Sequence, residues 1–91
     1  MTNIYFIKDD NLNIKIGMSI DIDKRRRELQ TGNADKLFLL YYIENVSETF
    51  EKHIHDICEA YHINGEWFEM GAINHLLSHP WFLNNMKKPE N

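Results

Sequence analysis

The sequence predicts a small α+β domain, a three-stranded antiparallel sheet flanked by helices. Three stretches carry that expectation. Leu12 to Met18 alternates apolar and polar residues with a period of two, as a half-buried strand does. Leu37 to Glu44 is a nearly continuous apolar and aromatic run, the pattern of a strand covered on both faces, and it is placed at the sheet centre. Phe50, Ile54, Ile57 and Tyr61 recur at helical spacing, so one face of that segment belongs to the core.

Asn3 to Lys8, rich in β-branched and aromatic residues, reads as a first strand. The polar cluster Asp9-Asp10-Asn11 then turns the chain, which makes an antiparallel hairpin with Leu12 to Met18. In that hairpin Lys15 and Gly17 share the face opposite Ile14 and Ile16. A glycine at a strand end leaves room for a backbone or a phosphate to approach.

Asp21 is suited to cap a short helix, with Gly32 at its end. Its apolar stripe is thin, essentially Ile22 and Leu29. It opens with four consecutive cations, Lys24 to Arg27. At a hundred degrees per residue Arg25 and Arg26 fall on the side of Ile22 and Leu29, while Arg27 points away. The simple account is that both stems cover the sheet edge and both heads reach water. Helix geometry does not choose between the two arginines.

Ser47 is expected to cap the next helix, which runs to about Tyr61. Asn64-Gly65 makes a turn, and Glu66 to Glu69 forms a short extended piece whose aromatics close one end of the core. Ala72 to Leu77 begins a last helix that Pro80 ends or bends. Trp81 to Leu83 packs back, giving one domain over residues 1–86 and a loose tail at 87–91.

Bulk properties narrow the function. Ninety-one residues hold one domain, and 43% hydrophobic content is that of a folded chain. No apolar run reaches the length of a membrane span, and the first residues carry no signal-peptide pattern. A single cysteine, Cys58, excludes an internal disulfide, so an intracellular protein is expected. Net charge is −4, so contact with nucleic acid must be local, through the Lys24 to Arg27 cluster.

A second stripe on the helix after Ser47 carries Glu51, His55, Cys58 and His62 at i, i+4, i+7 and i+11. These side chains are all metal-ligand types. The outer pair lies about 16 Å apart along a straight helix, which excludes a four-ligand zinc site. Cys58 and His62 are read as a core-edge residue and a solvated one. Glu51, one turn into the helix, stays open. No Ser-His-Asp arrangement and no glycine-rich phosphate loop is present.

The order of these parts resembles the GIY-YIG nuclease superfamily, and most closely its small T5orf172 and Mug113-like branch. Tyr5 stands in a first strand, Lys15-Ile16-Gly17 ends the second, and Arg25 follows Gly17 by eight residues. The helix Arg25 to Gly32 has the form R-x-x-E-L-Q-T-G. Glu51 with His55 and the later Gly65-Glu66-Trp67-Phe68 complete the pattern. Each motif alone is weak, but four in order over nearly the whole chain to Phe68 are specific.

That resemblance implies a GIY-YIG-like fold and a metal-dependent endonuclease hydrolysing DNA. It makes Tyr5 the residue that activates water and Arg25 the one that stabilises phosphate charge. Glu51 becomes the ligand of a single Mg²⁺ or Mn²⁺ ion, and His55 an assistant in proton transfer or a support to the metal. Lys15 binds phosphate or lowers the pKa of Tyr5, and Gly17, Lys24 and Arg26 line the substrate. Two departures bear on cleavage more than on fold: Asn3 replaces the first motif's glycine, and Lys15 the second motif's tyrosine. The family's late asparagine has no equivalent. A domain of this size is expected to draw specificity from a homodimer or a partner protein. The alternative reading is a weak or inactive module that binds nucleic acid or a protein partner, such as a phage-type effector in the host cytoplasm.

Overall fold

The first hairpin sets the architecture. Strand β1 (Thr2–Lys8) turns into β2 (Asn13–Ser19). The Asp9 carboxylate closes the turn by accepting the backbone N–H groups of Asn11 at 2.9 Å and Asn13 at 2.8 Å. Leu12 has φ 62° there, so the second strand begins one residue later than its alternation suggests. In the computed structural model, which describes residues 1–90, Ile4, Tyr5, Phe6 and Ile7 are at most 1% exposed. Burial of successive residues requires cover on both faces of β1. It is this strand, and not Leu37 to Glu44, that lies inside the sheet with a partner on each side.

Helix α1 (Ile22–Thr31) is capped by Asp21, whose side chain accepts the Lys24 N–H. Gln30 then fixes the exit: its side-chain oxygen accepts the Leu37 N–H at 2.8 Å, and its amide donates to the Asp35 carbonyl at 2.9 Å. The chain continues into β3 (Phe38–Val46), an edge strand antiparallel to β1. The expectation that this run is central is corrected. Its apolar length serves two separate clusters, and its outer edge is partly covered by Lys87, which exchanges backbone hydrogen bonds with Tyr42 at 2.8 and 2.9 Å. The segment expected to be loose from Lys87 onward is therefore tied down at its first residue. Asn91 lies outside the described residues.

Helix α2 (Phe50–Ile57) is shorter than its periodicity suggests and ends in a 3-10 turn, Glu59–Tyr61. Ser47 bonds the Thr49 N–H just before the helix instead of capping it. Strands β4 (His62–Asn64) and β5 (Trp67–Glu69) follow around Gly65, whose φ of 52° suits a residue without Cβ. Helix α3 (Gly71–Leu77) stops before Pro80, which opens helix α4 (Pro80–Asn85) at a position where its missing N–H costs nothing.

The result is a five-stranded antiparallel sheet ordered β3-β1-β2-β5-β4, two strands more than expected. Ile4, Phe6, Ile14, Ile16 and Ile43 face a main core completed by Ile54, Ala72, Ile73, Leu76 and Phe82 from α2, α3 and α4. The other face carries a smaller cluster of Tyr5, Ile7 and Leu37, covered by Ile22 and Leu29 of α1 together with Leu39 and Trp67. Among the described residues no helix is long and apolar enough to cross a membrane.

Candidate active site

The site grows from the sheet face under α1. Antiparallel register sets Tyr5 opposite Gly17 and Ile7 opposite Lys15, so Lys15 and Gly17 flank the tyrosine on one surface. Gly17 is buried, and the space above its Cα is filled by the Tyr5 ring. The expectation that this glycine admits a phosphate is corrected: it admits the tyrosine.

Helix α1 lies over that face because Ile22 and Leu29 pack against Tyr5, Ile7 and Leu37. The same stripe delivers Arg25 to Tyr5. Burial pushes the Tyr5 hydroxyl above its ordinary pKa. Arg25 opposes that as a hydrogen-bond donor and as a positive charge, and the carboxylates of Glu66 and Glu51 raise it again. Arg25 is in turn held more firmly protonated, chiefly by the tyrosine. Arg25 is the cation that bears most on Tyr5. Arg25 also faces Glu28 at 3.8 Å. Arg26 is half-exposed, and Lys24 and Arg27 are exposed along the same helix.

Lys15 is engaged elsewhere. Its Nζ lies 3.2 Å from Glu66 Oε1 and 5.4 Å from the centre of the Trp67 ring. Trp67 opens β5, which pairs with β2 only along Asn13–Lys15, and Glu66 immediately precedes it. The Ile16 N–H donates to the Glu66 carbonyl at 2.9 Å, and beyond that bond no strand pairs with the β5 side of β2 among the described residues.

Helix α2 fills this gap from the opposite face. Ile54 anchors it in the main core, and the His55 Nε2–H donates to the Ile16 carbonyl at 2.9 Å. The His55 ring meets Phe68 edge-on at 4.9 Å and stands 3.9 Å from Glu51 Oε1. With Nε2 committed to the strand, His55 ties α2 to the segment that carries Lys15 and Gly17. Glu51, one turn earlier, reaches the site around the open edge. Burial raises its pKa first, then the charge of Glu66 and a hydrogen bond with it; His55 and Lys15 act the other way.

Tyr5, Arg25, Lys15 and Glu51 therefore converge, with Glu66 among them. Glu66 is the member that residue-type reasoning passed over. Its position right after the Asn64-Gly65 turn was visible, but its pairing opposite β2 is set by the fold. Of the remaining metal-ligand types, Cys58 is buried in the main core and His62 bonds the Gly65 carbonyl at 2.8 Å. Among the described residues no three His, Cys, Asp or Glu side chains form a ready-made metal cage. Two adjacent carboxylates suit a hard cation that keeps most of its waters, the usual habit of Mg²⁺. A hollow of about 500 Å³ lies apart from this group, lined by Asp21, Asp23, Glu44 and Glu90, and its acidic wall is unsuited to phosphate.

No curated protein and no solved structure matches the chain. A family model does, that of the T5orf172 domain, over residues 2–79. The match runs from the start of β1 past the end of α3 and includes every residue of the convergent group. Assignment to the GIY-YIG superfamily is consistent with it. The chain belongs to the T5orf172 domain family.

Proposed function

We propose that this protein is a metal-dependent endonuclease that hydrolyses DNA phosphodiester bonds. Its family points to a nuclease-like or DNA-binding module. The observation that favours cleavage is that Arg25 and Glu51 both bear on Tyr5, three side chains from three different elements. In the reaction a water oxygen attacks phosphorus, the bond to the leaving oxygen breaks, and negative charge builds on the phosphoryl oxygens. The Arg25 guanidinium offsets that charge, and Lys15 supplies a second cation beside it. Tyr5 orients the water through its hydroxyl, while the proton that the water gives up passes to solvent and the leaving oxygen takes one from solvent. Lys24 and Arg26 hold flanking phosphates, while His55 keeps Glu51 in place through Ile16. Glu51, with Glu66 at its side, would hold the divalent ion, which supplies a Lewis acid and lowers the pKa of water when bound. One such site cuts one strand per visit, so a homodimer or a partner protein would supply specificity.

A second reading draws on two observations: Tyr5 is held protonated by burial, and Lys15 is already paired with Glu66. A chain that keeps both features when bound would be a module that holds nucleic acid or a protein partner without cutting. Nicking of a supercoiled plasmid with Mg²⁺ or Mn²⁺, against the same reaction in EDTA, separates the two. Metal-dependent nicking supports the nuclease; binding of the plasmid without nicking in either condition supports the module.

A further inference from the structure

We infer that Glu66 is a placeholder for the substrate phosphate on Lys15, an anion the free protein keeps on its ammonium group and surrenders when nucleic acid binds. The inference rests on the proposed nucleic-acid reading and concerns how that site opens. The Lys15 side chain is only 15% exposed, and the Trp67 ring backs its ammonium at 5.4 Å. A lysine so enclosed has a defined direction, and the remaining approach is occupied by a carboxylate oxygen at 3.2 Å. A phosphate oxygen can take that place with similar charge and geometry.

The two members of the pair differ in freedom. Lys15 sits within β2, between β1 and β5. Glu66 is 37% exposed and follows the Gly65 turn of a hairpin whose strands are three residues each. Exchange therefore moves Glu66 and leaves Lys15 where it is, with Trp67 still behind it. The Glu66 backbone can stay fixed by the Ile16 N–H while its side chain swings.

The test is affinity for a fluorescently labelled DNA duplex in EDTA, read by anisotropy, so that cleavage plays no part. Glu66→Gln should bind about two- to fivefold tighter than the parent, the change expected for giving up one partly exposed ion pair. Glu66→Asp keeps the charge but draws the carboxylate back, and should also bind tighter, by less. The gain should vanish in the Lys15→Met background, where the double variant matches Lys15→Met alone. Tighter binding by Glu66→Gln with none by Glu66→Asp, or a gain that survives Lys15→Met, would reduce the effect to net charge and overturn the placeholder. A folded Glu66→Gln that binds no better than a binding parent overturns it too, without touching the nuclease reading. If neither the parent nor any variant binds DNA, the nucleic-acid reading itself falls, and the placeholder with it.

Discussion

The Tyr5 ring occupies the volume that a Cβ on Gly17 would need: such an atom would lie 2.9 Å from Tyr5 Cε1 and closer still to Cζ and Oη. Strand register puts the two residues opposite each other, and the 1% exposure of Tyr5 leaves its ring nowhere to retreat. The glycine is thus a seat for the tyrosine. Gly17→Ala should cost about 1–3 kcal/mol by overpacking and tilt the hydroxyl away from Arg25. Urea denaturation checks the first effect, with Gly32→Ala as the control. Nothing lies within 4 Å of a Cβ at Gly32, so its stability should stay within about 0.5 kcal/mol of the parent.

Glu51 gives a pH dependence of defined sign. Its pKa is higher in the folded chain than in the unfolded one, so the folded state binds more protons through that window. Stability contributed by this group therefore falls as pH rises from the ordinary carboxylate range through the raised folded value. Glu51→Gln removes the burden. Its urea midpoint should exceed the parent's at about pH 7, and the gap should close as pH falls below the carboxylate range, about pH 4.

Removal of metal should separate the same two proteins. Under the proposed role of Glu51, Mn²⁺ raises the melting temperature of the parent and EDTA reverses it, because an ion bound only by the folded state stabilises it. Glu51→Gln should melt at the same temperature with and without Mn²⁺. Differential scanning fluorimetry reads both.

How far the sequence spoke depends on whether a feature is local. The β1–β2 hairpin, the Asp21 cap and the core face of α2 follow from residue order over a few positions, and each formed as expected. The sheet centre did not. Two long apolar runs competed for it, and Leu37 to Glu44 is the longer, yet Ile4 to Ile7 is the one covered on both faces. Hydrophobic length cannot report which run gains a strand on each side: β1 pairs with β2 and β3, whereas β3 pairs with β1 alone among the strands. Strands β4 and β5, three residues each, are too short to show a period. At the site, helix spacing left Arg25 and Arg26 level, and the resemblance chose Arg25, the one beside Tyr5. The Lys15–Glu66 pair joins residues far apart in the chain through β2–β5 register, which has no local signature.

Cys58 offers a check on the main core. It is fully buried, and burial pushes its thiol up to about 11, so it is neither ionised nor reachable in the native state. Reaction with a disulfide reagent at neutral pH should be slow in buffer and fast in denaturing urea. Cys58→Ser should destabilise the fold by about 1–3 kcal/mol, because its hydroxyl would enter an apolar cluster.

If Tyr5, Arg25 and Glu51 form one hydrolytic centre, loss of either charged member slows cleavage. The most direct measurement is the Mn²⁺-dependent rate of plasmid nicking by the parent, Arg25→Ala and Glu51→Ala, each first shown to unfold cooperatively. Both variants should lose about 10²- to 10³-fold in rate, the effect of removing one charge-stabilising group. Equal nicking by all three proteins would contradict a shared hydrolytic centre.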